Sequence, residues 1–160
     1  MLPATAPGFD APLEMLQACH ERILTQCETL EKLAAHLRTA GLTPEARVAA
    51  AGVHRYFSTA GRQHHQDEEQ DLFPLLRGDA SLAGLIDTLT AEHLRMETLW
   101  EKLEPLLRAP DTIRDPEDFS KRVTEFNALY AGHIARENTE LLPRAAVLLP
   151  ATILKVLGAR

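Results

Sequence analysis

Two stretches of the chain carry the same polar signature. His64-x-x-x-Glu68-x-x-Asp71-Leu72-Phe73-Pro74 and His133-x-x-x-Glu137-x-x-Glu140-Leu141-Leu142-Pro143 align position for position at an offset of 69 residues. Each is preceded by a lone histidine in a shared context: His20 is followed by Glu28, Leu30, Glu31 and Leu33, and His93 by Glu101, Leu103, Glu104 and Leu106, at the same spacings. Each half of the chain therefore holds a His and then a His-x-x-x-Glu. Residues four apart on a helix share a face, so each imidazole stands beside its carboxylate. Such nitrogen and oxygen donors suit iron, manganese or zinc better than copper(I) or an iron–sulfur cluster. Four His and two Glu are too many for one ion and about right for two. If each ion takes two His and both Glu bridge, each has four protein bonds and keeps an open position where chemistry can occur.

The elements that must position these groups are helical. Apolar residues at Leu13, Leu16, Ile23, Leu24, Leu30, Leu33 and Leu37 form a 3.6-residue stripe over 11–40, with Asp10 as N-cap and Gly41 as the stop. Thr43-Pro44 opens a second helix running to about Leu76. Asp79 or Ser81 opens a third, through Leu82, Leu85, Leu89, Met96, Leu99, Trp100 and Leu103 to near Arg108, with Pro105 bending its last turn. Asp115-Pro116 opens a fourth, to about Leu142, and short helical turns around Leu148, Leu149, Ile153 and Leu157 follow, interrupted by Pro150. The short gaps force antiparallel neighbours. The expectation is an all-α, up-down-up-down four-helix bundle in a single domain over 1–160, with the bundle at about 11–142 and a short C-terminal helical extension, 143–160, as its cap.

In that arrangement the histidines fall in one layer. His20 lies 10 residues after Asp10, His64 10 before Pro74, His93 12 after Ser81 and His133 10 before Pro143. At 1.5 Å per residue all four sit about 15–18 Å above the same end of the bundle. Glu68 and Glu137 lie about 40° around from their histidines, and side chains lean toward their own N-terminus, so the six groups converge. Buried together they are costly unless a cation satisfies them.

Composition narrows the function. A formal charge of −6 offers no basic field for nucleic acid or an anionic membrane surface. No run of about 18 apolar residues exists for a membrane span. The first nine residues, MLPATAPGF, contain no Lys or Arg, so no secretory leader is expected. Cys19 and Cys27 lie about 12 Å apart along one helix, too far for a disulfide, and a reducing cytoplasm is the natural setting.

The paired motifs resemble the hemerythrin-like, HHE cation-binding family over about residues 10–145. That resemblance implies a four-helix bundle with a non-haem di-iron site, His20, His64, Glu68, His93, His133 and Glu137 as ligands, and Glu68 and Glu137 bridging. The cofactor it implies is two Fe ions, with Mn or Zn as substitutes. In the oxygen-carrying hemerythrins helix 3 has a second His four residues after the first, and helix 4 ends with His-x-x-x-x-Asp. Here those places read Glu97 and His133-x-x-x-Glu137. The set is more similar to the branch associated with repair of iron centres and with nitric oxide or iron sensing. The expected partners are a small diatomic ligand (O2 or NO) or iron itself, and not nucleic acid or membrane. A di-iron oxidase or peroxidase is the enzyme-class rival, and a reversible oxygen carrier another.

Several residues keep two readings. Glu97, one turn from His93, is either a carboxylate in or behind the metal shell or an exposed charge. Asp71 and Glu140 are acceptors behind the ligands or end-of-bundle charges. Tyr56, Trp100 and Tyr130 read as wall and core, with Tyr130 also within reach of a metal-bound ligand. Cys27 reads as buried packing and Cys19 as exposed or at a helix contact. His36, His54 and His65 have no partner in the repeat and read as ordinary polar residues. His65-x-x-x-Glu69 overlaps the motif by one residue, but the 69-residue correspondence favours His64 and Glu68.

Overall fold

The computed structural model describes residues 12–149. Four antiparallel rods form a closed ring, each packed on the next and the fourth on the first. The first rod is α1 (Pro12–Thr39). The second is built from α2 (Pro44–Ser58), α3 (Ala60–Asp67), a π-helical turn (Glu68–Leu72) and α4 (Phe73–Leu76). The third is α5 (Ala80–Arg108), followed by a 3-10 turn at Pro110–Thr112. The fourth is α6 (Pro116–Arg136), a second π turn (Glu137–Leu141) and α7 (Leu142–Leu148). No strand occurs among the described residues.

The rods begin and end on the expected chemistry. Gly41, at φ +73°, takes the left-handed conformation that ends α1. The Thr43 hydroxyl accepts from the Ala46 N–H ahead of Pro44, Asp79 accepts from the Ser81 N–H, and Asp115 accepts from Glu117 and Asp118. Asp10 and the residues from Pro150 onward, including Ile153 and Leu157, lie outside the described residues. Asp115→Ala leaves two N–H groups of α6 without that acceptor. It should cost about 1 kcal/mol, read as a fall of about 2–4 °C in melting temperature for a chain of this length.

Two departures from simple rods matter. The second rod is not one helix: it turns at Thr59, whose hydroxyl donates back to the Arg55 carbonyl at 2.7 Å. Gly61 follows, where a Cβ would stand 3.2 Å from Phe57 Cδ1. The fourth rod does not stop at Leu142 but widens into a π turn and continues past Pro143. Both π turns start at a motif glutamate, with the Phe73 and Leu142 N–H groups bonding five residues back to Glu68 and Glu137. Pro74 and Pro143 come next. A proline ring crowds the carbonyl four residues earlier and has no N–H for it, and a turn wider by one residue relieves both.

The core is in two pieces. One contains Leu30, Val53, Phe57, Met96, Leu103, Phe126 and Tyr130; the other contains Leu72, Leu76, Ile86, Leu89 and Leu141. Each fully buried aliphatic or aromatic side chain contributes roughly 1.5–3 kcal/mol of hydrophobic stabilisation. Between the two pieces lies a polar layer.

Candidate metal centre

His20, His64, Glu68, His93, His133 and Glu137 form that layer, and none is more than 6% exposed. One residue comes from the first rod, two from the second, one from the third and two from the fourth. Glu68 turns one oxygen to each pair of histidines. Its Oε1 lies 2.6 Å from His64 Nε2 and 3.5 Å from His20 Nε2, while Oε2 lies 3.1 Å from His93 Nε2 and 4.0 Å from His133 Nε2. Glu137 does the same, with Oε2 2.8 Å from His20 Nε2 and Oε1 2.6 Å from His133 Nε2. The result is two groups of four donors, His20–His64–Glu68–Glu137 and Glu68–His93–His133–Glu137, sharing both glutamates. Within each group the donor atoms lie within 4.8 Å of one another.

The charges and hydrogen bonds within this layer favour a cation. His93 Nδ1 contacts a carboxylate oxygen of Glu69 at 2.8 Å and His133 Nδ1 one of Glu92 at 3.1 Å. An ionised carboxylate can only accept, so both Nδ1 atoms carry a proton and donate it. With Nδ1 so engaged, His93 Nε2 and His133 Nε2 face each other at 3.1 Å beside the glutamate oxygens. His20 Nε2, Glu68 Oε2 and Glu137 Oε1 are buried close to partners but without aligned hydrogen bonds. Groups in this condition are costly to bury, and a divalent ion among them satisfies all of them at once. The donor set therefore fits a metal.

The titration behaviour has the same physical origin. Burial opposes charge on His20 and His133, but the neighbouring carboxylates of Glu137 and Glu68 outweigh it and push the two imidazoles up to about 9 and about 10. Burial likewise opposes charge on His64, which the charge of Glu68 raises well above the ordinary value. Glu68, despite complete burial, is held well below the usual carboxylate range by the charge of His64 and by the nearby imidazoles of His133 and His20. A site that stabilises positive charge on imidazole also stabilises it on a metal ion.

The profile of the hemerythrin HHE cation binding domain matches residues 11–145. The chain belongs to that family. This hemerythrin-like chain is also 32% identical over 132 residues to an uncharacterized protein of Haemophilus influenzae, a match covering 81% of this chain and 76% of that protein. Among the described residues no helix is long and apolar enough to cross a membrane.

Not every candidate falls into the layer. Glu97 is exposed and stands in neither donor group. On α5 the buried stripe runs Ile86, Leu89, His93, Met96, Leu99, Leu103, and Glu97 flanks it on the edge nearest the second rod. There it lines a cavity of about 580 Å³ together with Glu101, Trp100, Met96, His65 and Tyr130. Glu140 is exposed and Asp71 half-buried. Cys27 is buried, which pushes its thiol up to about 12. His36 and His54 make local contacts, to Thr43 at 2.7 Å and Glu104 at 3.0 Å.

His65 is the histidine that sequence reasoning misjudged. Its ring stacks on His93 with centroids 4.1 Å apart, and its Nε2 accepts from the Tyr130 hydroxyl at 3.1 Å. Burial, and then the charge of His93, push its pKa down to about 2, so it stays neutral. Tyr130 is thus tied to the back of a candidate ligand. The missed acceptors are Glu69, Glu92 and Asn138, whose Oδ1 lies 2.7 Å from His20 Nδ1. Each is next in sequence to a candidate ligand, and that adjacency is the signal that could have found them.

Proposed function

We propose that this hemerythrin-like protein holds a pair of iron ions bridged by Glu68 and Glu137, and that it senses or binds a small diatomic molecule such as O2 or NO, or handles iron. The observation that carries this is the sharing of both glutamates between two histidine pairs. His20 and His64 would hold one ion, His93 and His133 the other. Manganese or zinc would fit the same donors. When bound, the iron pair supplies the electron-rich centre at which a diatomic molecule is held.

The protein's own residues do the rest. The two apolar core pieces exclude bulk water from above and below the polar layer. The cavity ends on His65 and Tyr130, one ring away from His93, and offers a small molecule a route inward. Glu69 and Glu92 behind His93 and His133 add anionic character to that side of the site. Anionic surroundings favour the higher charge of ferric over ferrous iron, so O2 should oxidise the site instead of binding and leaving unchanged. Sensing or iron handling fits that balance better than oxygen carriage.

The test is metal analysis joined to optical spectroscopy. Ferrous-loaded protein prepared without oxygen is mixed with O2, followed spectrally, and then stripped of O2. Two iron atoms per chain and no return of the starting spectrum are expected. Recovery over several cycles would restore the carrier reading, and sustained turnover of peroxide would favour an enzyme.

A further inference from the structure

Each of the four candidate-ligand imidazoles is met from behind by a side chain of an adjacent rod, and together these contacts run once around the bundle. Cys19 on the first rod meets His64 on the second. Glu69 on the second rod holds His93 on the third at 2.8 Å. Glu92 on the third holds His133 on the fourth at 3.1 Å, and Asn138 on the fourth holds His20 on the first at 2.7 Å. All four holders are sequence neighbours of candidate ligands. A step of one residue turns 100° around a helix, so a residue beside an inward-pointing ligand faces the adjoining rod.

The holders are not equivalent. His93 and His133 are backed by two carboxylates, whereas His20 and His64 are backed by an amide and a thiol. A carboxylate that accepts an Nδ1–H draws the proton toward itself and leaves Nε2 a stronger donor to a metal, more than an uncharged acceptor does. Resting on the two-ion reading above, we infer that the two metal positions are unequal by construction: the position between His93 and His133 fills first and holds its ion more tightly, while the position between His20 and His64 is the weaker, exchangeable one.

Nearby cations do not cancel the difference. Arg136 clamps Glu92 through both of its oxygens and offsets part of its charge. On the other side Arg22 donates to Cys19 Sγ at 3.0 Å. Each side thus carries one guanidinium, and two carboxylates stand against none. Glu92 is 12% exposed, so its hydrogen bond is shielded from competing water. Glu69, at 39%, is more open, but among the described residues it has no cationic partner except His93 itself.

The experiment is an anaerobic titration of the full chain with cobalt(II), read by its visible absorption against a competing chelator. Shared glutamates weaken the second ion in any case, so the readout is which step each variant moves. Glu69→Gln and Glu92→Gln should each weaken the first step by about 10–100-fold and leave the second in place. Asn138→Asp should tighten the second step by about tenfold. As an independent check, His20→Ala should keep the first step, with helicity confirmed by circular dichroism. Glutamine variants that weaken the second step, both steps equally, or neither would overturn the inequality. Saturation at one cobalt per chain would instead overturn the two-ion reading.

Discussion

Glu68→Ala should take the protein from two bound metal ions per chain to fewer than one after desalting, and Glu137→Ala should do the same. Glu68 Oε1 serves the His20 and His64 side at 3.5 and 2.6 Å, and Oε2 serves the His93 and His133 side at 3.1 and 4.0 Å. One substitution therefore removes a donor from both positions. It also removes the buried negative charge that would offset two cations. Loss of a group behind a ligand costs about 10–100-fold in affinity, and loss of a bridging ligand should cost more than that at each position. Glu97→Ala is the control: Glu97 is exposed and in neither donor group, so its removal should leave both ions in place. Metal counted by atomic emission, with circular dichroism to verify folding, decides the matter. Equal losses from Glu97→Ala and Glu68→Ala would return Glu97 to the metal shell, and an unchanged count in Glu68→Ala would end the bridging assignment.

The contrast between Glu97 and Glu69 shows how far the sequence could be read. The 69-residue repeat singled out His64, Glu68, His133 and Glu137, and the height argument added His20 and His93; among the described residues the two donor groups consist of these six. Both signals concern repetition along a helix, which sequence preserves. Glu97 was singled out by the same along-helix logic, one turn after His93, but its surroundings depend on how the second and third rods separate. The turn at Thr59 and the π turn at Glu68 interrupt the second rod, and a 3.6-residue pattern records neither. Glu69 and Glu92 were missed because their partners lie across the bundle. His65 was set aside because its motif with Glu69 looked like a slipped copy of the ligand pair. In the folded protein the slipped copy meets the third rod: His65 stacks on His93, and Glu69 accepts the His93 Nδ1–H.

Removing metal should lower the melting temperature steeply, and the size of the drop should grow with pH. At a free ion concentration 1,000 times its dissociation constant, each bound ion contributes about 4 kcal/mol. Two ions then correspond to a shift on the order of 15–30 °C for a chain of this length. The pH dependence comes from His20 and His133, pushed up to about 9 and about 10 by Glu137 and Glu68 against the effect of burial. Without metal these imidazoles are protonated at neutral pH and paired with the glutamates. Their folded values exceed the unfolded value of about 6.5, so their stabilisation is fully present below 6.5 and fades as pH rises through 9 to 10. A metal ion must displace those same protons, so its apparent affinity climbs over the same interval. Chelated protein should therefore become less stable between pH 7 and 10 while metal-loaded protein gains relative to it. Paired thermal melts with and without chelator at pH 6, 7.5 and 9 test this. A gap between the two curves that stays constant, or narrows as pH rises, would show that the buried histidines are not the groups that exchange protons for metal. The long apolar stretches on either side of the polar layer should still hold a helical bundle without the ions, so the expected result is a displaced melting transition and not its disappearance.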